Sequence, residues 1–180
     1  MTEESQRTMT AVILFAIAIV ITAASLAGCT SSVQDNDTSQ PAQDAYLNAY
    51  SVGMDHHGWA QDYFNNGTLA WENDDLRQTI AYYANASWEY NAAANSYGQM
   101  ARYASSPQDK EFGDSLRDCT FNLSLASDCF MNTAIALEQN DTDKASALFE
   151  EGQSRVDSSD AMLNRSIELT PAWMLNLSSA

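Results

Sequence analysis

The chain has 180 residues, 45% of them apolar, which is room for one domain with a sizeable core once a leader and a polar linker are set aside. Only 3 prolines and 7 glycines, beside much Ala, Asn, Tyr and Asp, argue against a sandwich or barrel with frequent tight turns and favour helix. Its 8 basic residues stand against 24 acidic ones, a net charge of −16, and no cluster of Lys or Arg offers itself to a phosphate backbone; nucleic acid is excluded as a partner, and the acidic shell reads first as solvation for a saline exterior, with attraction of cations or basic partners as the alternative.

Met9 to Leu26 is an uncharged run of roughly 18 residues, near the lower limit for crossing a bilayer and longer than most signal-peptide cores. Leu26-Ala27-Gly28-Cys29 follows it directly. This segment resembles the lipobox of prokaryotic lipoprotein precursors, and the resemblance implies cleavage before Cys29 and a diacylglycerol on its thiol. The stretch before the run departs from the pattern, since Glu3 and Glu4 outweigh Arg7 and weaken the positive-inside signal. An uncleaved signal anchor over residues 1–28 is therefore the alternative. Either way the sequence predicts a domain on the outer face of the cytoplasmic membrane.

Residues 29–43 read as a disordered tether, because Thr30 to Gln43 is polar, carries Pro41 and has almost nothing apolar to bury. The pattern Asn-x-Ser/Thr occurs at Asn36, Asn66, Asn85, Asn122, Asn140, Asn164 and Asn176, roughly three times what chance gives at this composition, which suggests surface glycosylation. Asn66 and Asn140 fall in predicted turns, and Asn85 opposite an apolar stripe. Lipobox, acidity and these sites together resemble an archaeal envelope protein.

From residue 44 to 171 apolar and aromatic residues recur at spacings of three and four, the period of helices. Helix one, about 44–65, carries Tyr46, Tyr50, Gly53, His57, Ala60 and Phe64, and Asn65-Asn66-Gly67 reads as its stop. Helix two, about 70–103, carries Leu76, Ile80, Tyr83, Ser87, Tyr90, Ala94, Tyr97 and Ala101. Helix three, about 107–139, opens at Ser105-Ser106-Pro107 with a hydroxyl cap and runs through Phe112, Leu116, Cys119, Leu123, Ala126, Phe130, Thr133 and Leu137. Helix four, about 142–169, carries Leu148, Phe149, Gly152, Val156, Ser159, Leu163 and Ile167 and ends before Pro171; residues 172–180 form an apolar tail. Four long helices with short links predict an all-α antiparallel up-down four-helix bundle rather than a solenoid of roughly 34-residue repeats.

Cys119 and Cys129 lie about 15 Å apart along one helix, too far to pair with each other. Asp55, His56, His57 and Asp62 are the residues that could offer imidazole and carboxylate to a metal or ligand, but no second ligand set accompanies them. The Glu-x-x-His pairs of diiron bundles, haem motifs, EF-hand loops, phosphate loops and nucleophile elbows are all missing, so neither a cofactor nor an enzyme is expected. Tyr83, Tyr90 and Tyr97 recur every seven residues and read as core or as a ligand-lined seam. Two functions follow: a lipid-anchored envelope module that contacts another envelope protein, or an extracytoplasmic ligand- or metal-binding sensor with its site near His57 and these tyrosines.

Overall fold

The computed structural model describes residues 40–171, and they are all-helical. The helices are α1 (Gln40–Glu72), α2 (Leu76–Tyr103), α3 (Pro107–Glu138) and α4 (Thr142–Glu168), with no strand among the described residues. The leader, Cys29, Asn36, Asn176 and the apolar tail lie outside this range. Within it, no helix is long and apolar enough to cross a membrane.

Local chemistry sets the helix boundaries. Asp75, Ser106 and Asp141 cap α2, α3 and α4, each accepting the backbone N–H three residues on, at 3.0, 3.0 and 3.1 Å. Pro107 follows Ser106 at the first turn, where its missing N–H is not needed. Two links share one design. Asp74 and Asn140 adopt left-handed φ of 57° and 59°. Beyond them the N–H of Asp75 reaches the carbonyl of Ala70 at 3.0 Å, and that of Asp141 reaches Ala136 at 2.9 Å. Each chain reversal thus closes one helix with a left-handed residue and caps the next with the aspartate that follows.

α1 departs from expectation at both ends. It begins at Gln40, inside the expected tether, and passes through Asn65-Asn66-Gly67 to end at Glu72. Gly67 is not a stop. A Cβ there would meet the Tyr83 ring at 3.1 Å, so this glycine lets an aromatic ring lie against the helix backbone. Thr68 and Ala70 continue the buried face beyond it. In α4, Ile167 is exposed rather than on the stripe, because the buried positions step through Gly152, Ser159 and Ser166.

The helices pack consecutively, α1 on α2, α2 on α3 and α3 on α4. Side-chain contacts join each pair: Tyr50 with Tyr97 and Phe64 with Tyr83 between α1 and α2, Ser87 with Ser124 between α2 and α3, and Cys119 with Ser159 between α3 and α4. No comparable backbone seam joins α1 to α4, which meet through side chains such as Trp71 and Phe149, whose ring centroids are 6.4 Å apart.

The core is built from rings and small residues instead of aliphatic side chains. Tyr97 and Phe130 fill the space where Gly53 and Gly152 lack a Cβ, which repeats the arrangement of Tyr83 on Gly67. Between the rings, Ala60, Ala86, Ala93, Ala126 and Ala134 are fully buried and allow close approach. Buried hydroxyls are satisfied locally: Thr120, Ser127 and Thr133 donate to the carbonyl four residues back at 2.9, 2.8 and 2.8 Å.

The two hairpins correspond at several core positions. Phe64 and Tyr83, 5.2 Å apart in α1–α2, match Phe130 and Phe149, 5.5 Å apart in α3–α4. Tyr46 matches Phe112, Ala60 matches Ala126 and Ala70 matches Ala136, and all six are buried.

Candidate functional site

Two of the four residues expected as ligands from sequence, Asp55 and Asp62, are exposed on α1. His57 packs edge-on against Tyr90, with ring centroids 5.5 Å apart at 78°, and burial holds its pKa below the usual histidine value. Tyr83, Tyr90 and Tyr97 are buried within the core clusters. Burial raises all three phenols, that of Tyr83 to about 12, where a hydrogen bond with Thr68 opposes the shift and the charge of Glu72 adds to it. Among the described residues no group of three or more His, Cys, Asp or Glu side chains is placed to hold a metal ion. Cys119 and Cys129 are both buried and unpaired, and burial raises both thiols.

His56 is the residue around which a site forms, and its partners come from α2. Its Nδ1 lies 2.6 Å from Oε2 of Glu89. A carboxylate can only accept, so the ring proton sits on Nδ1 and Nε2 is left without a hydrogen-bond partner among the described residues. The imidazole stands perpendicular to two indoles, Trp59 at 5.3 Å and 88°, and Trp88 at 6.3 Å and 82°. These tryptophans are 53% and 66% exposed, while Glu89 is 9% exposed. The arrangement is a buried carboxylate on α2 paired with an imidazole from α1, which in turn meets two exposed indoles, one from each helix.

Helical spacing explains the assembly. His56 and Trp59 are three residues apart on α1 and share a face. Trp88 and Glu89 are adjacent on α2, which turns the acid inward and the indole outward. Sequence reasoning singled out His56 but missed Glu89 and Trp59. The available signal was an acid inside the otherwise uncharged run from Ala81 to Ala94.

The second hairpin supplies an internal comparison. At the positions equivalent to His56, Trp59, Trp88 and Glu89 it carries Asn122, Leu125, Ser154 and Arg155. Some packing residues recur, as in Phe64 and Phe130, and others differ, as in Tyr90 and Tyr97 against Val156 and Leu163; this cluster does not recur. A buried carboxylate is unfavourable unless paired, which His56 provides for Glu89, and the exposed parts of the two indoles contribute little to folding.

Of the five Asn-x-Ser/Thr sites in the described residues, Asn66, Asn85, Asn140 and Asn164 are exposed and Asn122 is half-buried. Asn66 lies within α1 and not in the turn expected for it; Asn140 lies in the turn between α3 and α4. No protein family, no curated protein and no solved structure matches this chain.

Proposed function

We propose that this chain is a surface protein of the cell envelope, held on the outer face of the cytoplasmic membrane by lipid on Cys29 and using its helices as an interaction module. The four helices form an antiparallel up-down bundle, with α1 and α4 closing the fourth side through their side chains. Residues before α1 space the bundle from the anchor. The observation that carries the interaction role is the pair of exposed tryptophans flanking His56 and Glu89, present on one hairpin and not on its twin.

The chemistry of that patch favours a basic partner. Indole faces attract ammonium and guanidinium groups, the Glu89 carboxylate lies directly beneath, and a net charge of −16 draws cations toward the whole surface. The partner is an envelope protein presenting Lys or Arg. Cross-linking in intact cells from a photoreactive residue placed at 59 or at 88 tests this, with position 125 as the control. We expect adducts to an envelope protein from the first two positions only, weakened by added salt. Equal capture from position 125, or none at 59 and 88, refutes the docking role. Intact mass measurement tests the anchor, which an unmodified chain beginning at Met1 refutes.

A further inference from the structure

We propose that Asn140 is the residue of the folded domain that accepts an N-linked glycan, and that Asn66, Asn85, Asn122 and Asn164 do not. The inference rests on the external location proposed above and adds which site is used.

An acceptor site needs both its asparagine amide and the hydroxyl two residues on. In a helix, residues two apart lie about 200° around the axis, on opposite sides. An exposed asparagine in a helix therefore pairs with a hydroxyl that faces the core. Thr68, Ser87, Ser124 and Ser166 are all buried. They are also engaged: Thr68 Oγ1 donates to the carbonyl of Phe64 at 3.2 Å, Ser124 Oγ to that of Ser87 at 3.0 Å and Ser166 Oγ to that of Leu163 at 2.7 Å, while the Ser87 and Ser124 hydroxyls lie 3.2 Å apart. Asn122 is further occupied, its amide donating to the carbonyl of Asp118 at 2.9 Å. These four sites follow from a helical face lined with small hydroxyl residues, and the same pattern accounts for much of the excess of such sites in the sequence.

Asn140-Asp141-Thr142 is built differently. All three residues are exposed, Asn140 sits at φ 59° outside the helices, and the Thr142 hydroxyl has no hydrogen-bond partner among the described residues. The amide and the hydroxyl are both open to an approaching enzyme. The antiparallel contacts place this turn beside the end of α1, and α1, at 33 residues, spans about 50 Å. The acceptor is thus at the end of the domain opposite Gln40, where α1 begins.

In the transfer, the Asn140 side-chain nitrogen attacks the anomeric carbon of a sugar activated as a lipid-phosphate ester. A carbon–nitrogen bond forms, the carbon–oxygen bond to phosphate breaks, the phosphate leaves with the electron pair, and the displaced amide proton passes to the transferase.

The test is peptide mass spectrometry of the full-length protein purified from the envelope of cells that produce it. We expect a sugar mass on the peptide containing Asn140 and bare peptides at the other four sites. Asn140→Gln and Thr142→Ala should abolish the modification, Thr142→Ser should retain it, and Asn85→Gln should leave it unchanged. Helical circular dichroism of each variant confirms folding. A bare Asn140, or sugar on Asn66, Asn85, Asn122 or Asn164, overturns the proposal. The same digest reads the N-terminus: a lipidated Cys29 with bare Asn140 removes this inference alone, an unprocessed Met1 with bare Asn140 removes the anchor as well, and sugar on Asn140 without lipid leaves this inference standing.

Discussion

Gly53 and Gly58 lie on the same helix, and replacing each by alanine should shift stability in opposite directions. A Cβ on Gly53 would stand 2.6 Å from Cε1 and 2.8 Å from Cδ1 of Tyr97, whereas one on Gly58 meets nothing within 4 Å. Carbon contacts settle at about 3.5–4.0 Å, so the Tyr97 ring would have to move by roughly 1 Å. It has no room, because it is 1% exposed and packed in a cluster with Ala49, Met100, Phe112 and Leu116. Such overpacking costs about 1–3 kcal/mol. The helical preference of alanine over glycine returns about 1 kcal/mol at either position. Gly58→Ala should therefore gain about 1 kcal/mol and Gly53→Ala should lose up to about 2. In a domain of this size each kcal/mol moves the melting temperature by roughly 3–5 °C. Thermal and urea unfolding followed by helical circular dichroism would read the difference. On a Tyr97→Leu background, which removes the clash, Gly53→Ala should lose little further stability. If Gly53→Ala stabilises as much as Gly58→Ala, the ring does not rest on that backbone and the packing described here is wrong.

Alkaline pH should unfold the domain cooperatively. Tyr46, Tyr50, Tyr83, Tyr90 and Tyr97 all have phenol pKa values raised by burial from 10.0, so above pH 10 the unfolded chain releases protons that the folded chain keeps. Stability is full below that pH and falls as it rises, by at most about 1.4 kcal/mol per unit for each tyrosine; tyrosinate absorbance and helix loss should coincide, and phenols titrating near pH 10 in an intact helical protein would contradict this. His57 acts on the acid side. Its folded pKa lies below 6.5, so its contribution is full above that value and drains as the pH falls beneath it, by at most about 1.4 kcal/mol per unit. Urea midpoints at about pH 7.5 and about pH 5.5 should reveal that slope, and His57→Leu, the residue present at the equivalent Leu123, should flatten it. Asp75→Ala and Asp141→Ala each remove one helix cap and should each cost about 1 kcal/mol by urea unfolding, and losses under a few tenths would show that these caps are idle. Alanine at both Trp59 and Trp88 should change stability by less than about 1 kcal/mol in the same assay while removing the cross-links expected of the docking face.

The helical class and the four helices were legible because period is a property of neighbouring residues, and Tyr83, Tyr90 and Tyr97 or Phe112, Leu116 and Cys119 carry it without reference to anything distant. The end of α1 was not legible, since Asn65-Asn66-Gly67 has the composition of a stop and only the ring of Tyr83, from another helix, explains why a glycine is there. Ile167 was misplaced for a related reason. In a core made of glycine and serine, the buried positions of α4 are residues that a search for apolar side chains passes over, and an isoleucine one step away takes their place in the reading. The candidate site was half visible. His56 stood out as one of two histidines, but its pairing with Glu89 depends on the register between α1 and α2, which no local pattern encodes.

That register gives the correspondence between hairpins its force. Packing makes similar demands at equivalent positions of two hairpins with the same turn, the same ring pair and the same buried alanines, and at those positions the residues do stay alike: Phe64 with Phe130, Ala60 with Ala126, Ala70 with Ala136. At the positions of the tryptophans and the His56–Glu89 pair the second hairpin keeps none of this chemistry. It has Leu125, Ser154, Asn122 and Arg155 there instead, the last opposite in charge to Glu89. The first hairpin therefore presents a surface the second does not, and the docking role proposed above supplies a demand for it. Two indoles held in water around a paired carboxylate are consistent with that demand coming from outside the chain, which is why the docking test belongs at residues 59 and 88, with residue 125 as its control.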